Sequence, residues 1–252
     1  MEKNEHFSPI VLCMIQARMD GKRFPGKVLE NVNGMPIISF IVKRASKAKI
    51  ISKIIVVTSK NKKDDVLVEY LKNQNIEFFR GSEDNVLERF YEAAKKYNAD
   101  YIIRLTGDNP FVDPKIINKV VSEILGKNYE YVSNDLVRTF PLGFDVEVLT
   151  FAALEKIIHL ASKSEDYEHV TLFIRNNPKL FSTKNIFAPI NLRHPDWRLT
   201  VDESNDLELI QKIMKISSDE FVSFEEIMNI LENNQDLISI NSHIKQKTTY
   251  HN

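Results

Sequence analysis

Short apolar runs and amphipathic stretches take turns along this chain, and that alternation restricts the possible folds more than any other feature. IVLCMIQ at 10–16 is apolar without a break, the pattern of a strand buried on both faces of a parallel sheet. Further strand-type runs are IIVVT at 54–58, EFF at 77–79, YIIRLT at 101–106, YEYVSN at 129–134, FDVEVLTF at 144–151 and WRLTVD at 197–202. Between them apolar residues recur at helical spacing. The predicted helices are one opened by Pro36, then Asp64 to Asn73, Asp84 to Tyr97, Asp113 to Leu125, stretches near 151–161 and 166–176, and one starting near Asn205. Such alternation predicts an α/β fold whose mostly parallel sheet carries helices on both faces.

With 252 residues, 43% of them hydrophobic, the chain has the material to bury roughly 70–75% of its unfolded surface. One domain is expected over 1–252, with a core at about 8–232 and loose tails at 1–7 and 241–252. Thirty-four Lys and Arg meet 35 Asp and Glu, a net charge of −1, which argues against a nucleic acid backbone as partner. The single cysteine, Cys13, excludes an intrachain disulfide and a Cys-rich zinc site, and reads as a small buried hydrophobe. No apolar run approaches the roughly 18–20 residues of a membrane span. The N-terminal apolar stretch is broken too early by Arg18 to be a signal peptide. The expectation is a soluble, cytoplasmic protein with no nucleic acid or membrane partner.

Directly after the first strand, ARMDGKRFPGK places Arg18, Lys22, Arg23 and Lys27 within ten residues, with Pro25-Gly26 turning the loop. Four cations beside exposed backbone amides suit a polyphosphate. The loop lacks the GK[ST] of a Walker A motif and the GxGxxG of a dinucleotide fold. A solvated basic loop is the plainer alternative. A second feature is an echo: RLTGD at 104–108 and RLTVD at 198–202. On a strand, Arg104, Thr106 and Asp108 share a face, and so do Arg198, Thr200 and Asp202. Each Asp then lies at the C-terminal end of its strand, where open α/β sheets bind ligands. Two carboxylates converging there can hold a hard cation such as Mg²⁺. Taken singly, Asp113 and Asp202 read as helix-start residues and Asp108 as a turn former. Trp197, on the opposite strand face from Asp202, is expected in the core, and His159, on an apolar helix, is expected to be structural.

IQARMDGKRFPGKVLENVNGMPII, RGSEDNVLERFYEAAKKYNADYIIRLTGDNPFVDP, PLGFDVEV, EHVTLFI and RLTVDESNDLELI run in order from about residue 10 to residue 215. In these blocks the chain resembles the cytidylyltransferases of the spore-coat polysaccharide SpsF type, themselves similar to CMP-Kdo and acylneuraminate synthetases. The resemblance implies a Rossmann-like, GT-A-type nucleotide-diphospho-sugar transferase fold. It implies a nucleotidyltransferase that joins a nucleoside triphosphate, CTP by family, to a sugar acid or sugar phosphate and releases pyrophosphate. It further implies a homodimer working in surface polysaccharide or glycan biosynthesis. By the matching motifs, Arg18, Lys27, Asp108 and Asp202 would be catalytic, and Asp108 and Asp202 would hold Mg²⁺. Ala17, Arg18, Lys22, Arg23, Lys27, Gly81, Ser82, Asp84, Thr106 and Asp108 would lie against the nucleotide. Arg104, Asp145, Glu147, His169 and Arg198 would face the acceptor, with Asp166 capping the helix that carries His169. The family's first loop usually reads ARMGSTRLPGK; here Asp20-Gly21-Lys22 replaces Gly-Ser-Thr, losing two hydroxyls and gaining a cation.

Two rivals share these features. A GT-A glycosyltransferase uses a nucleotide sugar on the same fold, but commonly carries a DxD pair, and no DxD triplet occurs here. A non-catalytic nucleotide-binding protein of the same pathway would have lost Asp108 or Asp202, and both are present.

Overall fold

The structure is a computed structural model and describes residues 8–21, 23–217 and 219–246. In chain order, β1 (Val11–Gln16) leads through a single 3-10 turn (Lys27–Leu29) to the short strands β2 (Asn31–Val32) and β3 (Met35–Pro36) and helix α1 (Ile37–Ala45). Then come β4 (Lys53–Ser59), α2 (Asp65–Asn73), β5 (Phe78–Gly81), α3 (Val86–Lys96), β6 (Tyr101–Thr106) and α4 (Pro114–Ser122). The second half holds β7 (Tyr131–Ser133), β8 (Glu147–Thr150), α5 (Phe151–Leu160), α6 (Ser164–Glu168), α7 (Leu172–Asn176) and β9 (Thr183–Asn185). It ends with α8 (Ser204–Ile216), α9 (Phe224–Asn233) and α10 (Gln235–Ser239).

Seven strands form one sheet in the order β5-β4-β1-β6-β8-β7-β9. The β5-β4-β1-β6 half is parallel, β8 runs antiparallel to both β6 and β7, and β9 is parallel to β7. The predicted mostly parallel α/β architecture is what forms. The strand period of two divides β1 cleanly: Val11, Cys13 and Ile15 join the apolar cluster that includes Phe40, Phe111 and Phe144, while Leu12 and Met14 join the one that includes Phe90 and Leu154. Both faces of β1 are therefore buried, which is why its sequence shows no polar alternation. Burial also pushes the Cys13 thiol far above its ordinary pKa, leaving it inert.

Several elements differ from expectation. Residues 197–202 form no strand; their only ladder contact is an isolated bridge between Leu142 and Arg198. The helix expected over 166–176 is broken into α6 and α7 at Val170, whose φ of 23° no helix accommodates. Asn85 rather than Asp84 caps α3, accepting from the Glu88 N–H at 2.9 Å. His159 is exposed on α5 instead of packed. Packing continues past residue 232: Leu237 and Asn241 are buried. Asp113 is the helix-start residue it reads as, accepting from the N–H groups of Lys115 and Ile116, and it also takes the Phe224 N–H at 2.9 Å, which fastens α9 to α4.

Candidate active site

The first loop leaves the C-terminal edge of β1, where the Ala17 N–H still bonds to the Val57 carbonyl at 3.1 Å. Gly26, at φ 75°, turns the chain back so that its N–H meets the Met19 carbonyl at 2.8 Å. A side chain there would be strained. The 3-10 turn that follows buries Val28 and aims Lys27 inward. Its Nζ donates to Asp108 Oδ2 at 2.9 Å and to Asp202 Oδ1 at 2.7 Å.

Asp108 lies two residues beyond β6. Between them Gly107 lies so close to the first loop that an added Cβ would meet Ala17 Cβ and the Gln16 carbonyl oxygen, each at 3.0 Å. Thr106 Oγ1 donates to Asp108 Oδ1 at 2.6 Å and fixes that carboxylate. Asp202 arrives differently, from the non-strand segment that precedes α8. The segment is docked on the first RLTxD copy: the Val201 N–H and Thr200 Oγ1 both donate to the Asp108 carbonyl, at 2.8 and 3.2 Å. Capping of α8 falls to Asp206, whose Oδ2 accepts the N–H groups of Asp202 and Glu203 at 2.8 and 3.0 Å. The Asp202 side chain is thus released from the helix-start role and turned to the site.

Asp202 also takes Arg23 and Arg198, each at 2.6 Å. Burial works to raise its pKa, but these cations and Lys27 outweigh it and hold the carboxyl below its ordinary value. Burial would likewise lower the Lys27 pKa; Asp108 and Asp202 together reverse that and raise it. Arg18 is engaged at the far side of the loop by the Glu83 carbonyl at 3.1 Å and Glu168 Oε1 at 3.0 Å. A depression of about 340 Å³ opens beside these groups, lined by Ala17, Arg18, Lys27, Thr106 and Asp108 among others. Of the other residues expected against a nucleotide, Gly81, Ser82 and Asp84 do not line it. Ser82 Oγ accepts from the Asn85 N–H, Asp84 is exposed, and Gly81 makes room for Arg89, whose Cγ would lie 2.7 Å from a Cβ there. That block reaches the depression through the Glu83 carbonyl, which accepts from Arg18. Lys22 lies outside the described residues.

A larger cavity of about 580 Å³ adjoins it, sharing Thr106 and Asp108 in its lining. All five residues expected to face an acceptor line it: Arg104, Asp145, Glu147, His169 and Arg198. Glu147 does so as a saturated hub. Its oxygens accept from Arg104, from Tyr131 Oη at 2.5 Å, from Thr171 Oγ1 at 2.6 Å and from Arg175 at 2.9 Å. Burial opposes its ionisation, but Arg104 and Arg175 dominate and hold it charged well below the ordinary range. Glu147 thus lines the cavity while its oxygens hold Arg104 and Arg175. Asp145 pairs with Arg138 through two bonds of 2.7 and 3.2 Å. Burial, reinforced by neighbouring Asp135 and opposed by Arg138, pushes its carboxyl up to about 6. His169 follows the end of α6; burial and Arg104 lower its pKa, so the ring is neutral at neutral pH. Asp166 caps α6 from its third position, accepting from the Lys163 N–H at 3.4 Å. Trp197 lines this cavity, stacked on His194 at 3.6 Å, rather than lying wholly in the core.

Sequence reasoning missed Asp135, Arg138, Tyr131, Thr171 and Arg175. They come from two stretches, 131–138 and 171–175, that meet only in the folded chain, so their contacts cannot be read from either stretch alone. It also missed Asn241, Ile244 and Gln246.

The sequence matches the cytidylyltransferase family across residues 12–246. The chain belongs to that family. Among the relatives of this cytidylyltransferase, the spore coat polysaccharide biosynthesis protein SpsF of Bacillus subtilis is 36% identical over 90% of this chain and 95% of its own length. The 3-deoxy-manno-octulosonate cytidylyltransferase of Trichlorobacter lovleyi is 31% identical over 46% of this chain and 45% of its own. A solved cytidylyltransferase from Leptospira borgpetersenii superposes with a TM-score of 0.87 at 29% identity, covering 97% of this chain and all of that one. The resemblance read from the motif blocks holds, and the chain is a nucleotidyltransferase; the glycosyltransferase and non-catalytic alternatives are set aside by family membership. Among the described residues no helix is long and apolar enough to cross a membrane.

Proposed function

We propose that this cytidylyltransferase transfers a cytidylyl group from CTP to a sugar acid or sugar phosphate, with Mg²⁺ held by Asp108 and Asp202. The observation that carries the reading is the junction of the two depressions at Asp108, with Lys27 joining Asp108 to Asp202. The smaller depression, where Arg18 and Lys27 stand beside Asp108, suits a triphosphate bound with its cation, and the larger, carboxylate- and arginine-lined cavity suits a polar acceptor. In the reaction an acceptor oxygen forms a bond to the α-phosphorus, and the bond from that phosphorus to the β-phosphate bridging oxygen breaks, releasing pyrophosphate. Lys27, a flexible point charge, serves the phosphates once they replace its carboxylate partners. Arg18 and Arg23 add charge from the same loop, so the protein contributes mainly positioning and electrostatic stabilisation.

The two carboxylates fit a hard divalent cation. Both reach a single cationic point, Lys27 Nζ, and supply oxygen alone. Among the described residues no group of three acidic, His or Cys side chains could hold a metal, so phosphate and water oxygens must complete the shell. Mg²⁺ bound there would supply charge neutralisation on the triphosphate.

The name of the Bacillus subtilis relative supports a place in polysaccharide biosynthesis, and that of the Trichlorobacter lovleyi relative supports a 3-deoxy sugar acid as acceptor. Soluble metabolites as substrates accord with a cytoplasmic enzyme, and a homodimer, which the resemblance implies, is checked by light scattering. The catalytic reading is tested by measuring pyrophosphate release from each of the four nucleoside triphosphates, with Mg²⁺, against 2-keto-3-deoxy sugar acids and hexose 1-phosphates. Release that requires CTP and one acceptor is expected. Equal release with every triphosphate, or none with any pair, contradicts it.

A further inference from the structure

After α10 the chain does not leave the body of the protein. Asn241 is buried, and its Nδ2 donates to the Arg198 carbonyl at 2.9 Å and to Asp206 Oδ1 at 2.8 Å. The Ile244 N–H then bonds to the Asn241 carbonyl at 2.9 Å, which turns the segment back toward the site. Ile244 and Gln246 end up in the lining of the larger cavity, beside Trp197 and Arg198. Gln246 Oε1 accepts from Arg198 Nη1, while Nη2 of the same guanidinium binds Asp202.

This bond fixes which way the carboxamide faces. A guanidinium has only donors, so Gln246 can meet it only with its oxygen. The amide nitrogen, with its two N–H donors, is then turned away from Arg198. We propose that residues 241–246 form a wall of the acceptor pocket and that Gln246 is a specificity-determining residue, donating from its amide nitrogen to an oxygen of the acceptor, a sugar hydroxyl or carboxylate. The proposal rests on the cytidylyl-transfer reading above. Its physical content is that one side chain serves two ends: its oxygen holds the arginine that orients Asp202, and its nitrogen reads the acceptor.

Two substitutions separate those ends. Gln246→Glu keeps an oxygen for Arg198 and removes both donors; Gln246→Ala removes everything. Kinetics are measured by pyrophosphate release with CTP and whichever sugar acid or hexose 1-phosphate supports turnover in the unaltered enzyme. The residue is exposed, and without it Arg198 keeps its bonds to Asp202 and Asp206, so a thermal midpoint within a few degrees of the unaltered enzyme is expected for both. Loss of one neutral hydrogen bond should raise the acceptor KM of Gln246→Ala about three- to tenfold, with the KM for CTP unchanged. Gln246→Glu should raise it at least as much, because an acceptor oxygen then faces a carboxylate. Unaltered acceptor KM in both variants overturns the proposal. So does a Gln246→Glu enzyme that matches the unaltered one while Gln246→Ala loses only kcat, which would leave Gln246 as a prop for Arg198. Failure of the unaltered enzyme with every sugar removes the catalytic reading and this inference together, and is seen before any variant is made.

Discussion

RLTGD at 104–108 and RLTVD at 198–202 share four of five residues and differ in almost everything else. The first copy is largely strand, with β1 on one side and β8 on the other. The second has one bridge, to Leu142, and is held by its own side chains: Arg198 on Asp206, and Thr200 on the Asp108 carbonyl. Gly107 in the first copy lets the chain pass against Ala17, whereas Val201 in the second is buried and pairs its N–H with Asp108. The same five-residue pattern is thus a structural member in one place and a lining laid upon it in the other. What they have in common is the outcome, a carboxylate delivered to Lys27, reached by a ladder in one case and by ion pairs and a cap in the other.

The comparison is broken most severely at the partners of the two arginines. Glu147, which holds Arg104, and Asp206, which holds Arg198, are both buried and ionic. Glu147→Ala and Asp206→Ala should each cost about 3–5 kcal/mol of stability, since each leaves buried cations without their carboxylate. Denaturant unfolding measures this. If Asp206→Ala were neutral, the second copy would not depend on its ion pairs. Next are the carboxylates themselves: Asp108→Asn and Asp202→Asn should each lower kcat at least about a hundredfold, as loss of transition-state charge stabilisation does. Lys27→Ala removes the group the two copies share. Loss of a charged hydrogen bond of about 1.5–3 kcal/mol predicts a fall in kcat/KM for CTP of about ten- to a hundredfold, and unaltered kinetics would detach Lys27 from the triphosphate.

The smallest effect is a pH dependence on the acceptor side. Asp145 titrates at about 6 in the folded protein, above its ordinary 3.8. The stability tied to its neutral form is therefore whole below about 3.8 and lost as pH rises through about 6. The ionised form that pairs with Arg138 dominates above about 6. The acceptor KM should inflect near pH 6, and Asp145→Asn should remove the inflection while leaving affinity for CTP unchanged. An inflection that persists in Asp145→Asn assigns it to another group.

The contrast between the copies also marks what a sequence makes legible. The parallel half of the sheet could be read because buried strands write continuous apolar runs, as IVLCMIQ does. The basic first loop could be read because its four cations follow one strand within ten residues. Residues 197–202 look like a strand because they have strand composition, and lack only a neighbour to pair with; that depends on where the chain passes, not on the segment. Asp206 could have been recognised as the cap of α8 from its position three residues after Glu203, which frees Asp202. The hub of Tyr131, Glu147, Thr171 and Arg175 could not, since it joins β7, β8 and the α6–α7 region through contacts 16 to 44 residues apart. Trp197 was misplaced for the same reason as the strand: alternation assigns a face only where there is a sheet.

The central claim is that the two carboxylates, brought by unlike routes, act as one unit on the nucleotide. Turnover of Asp108→Asn, Asp202→Asn and the double variant, measured by pyrophosphate release from CTP, tests it directly. Residues that act as a unit are strongly non-additive, so the double variant should be about as slow as the slower single variant. Losses that multiply, to about ten-thousandfold or more in the double variant, would contradict it and make Asp108 and Asp202 independent contributors.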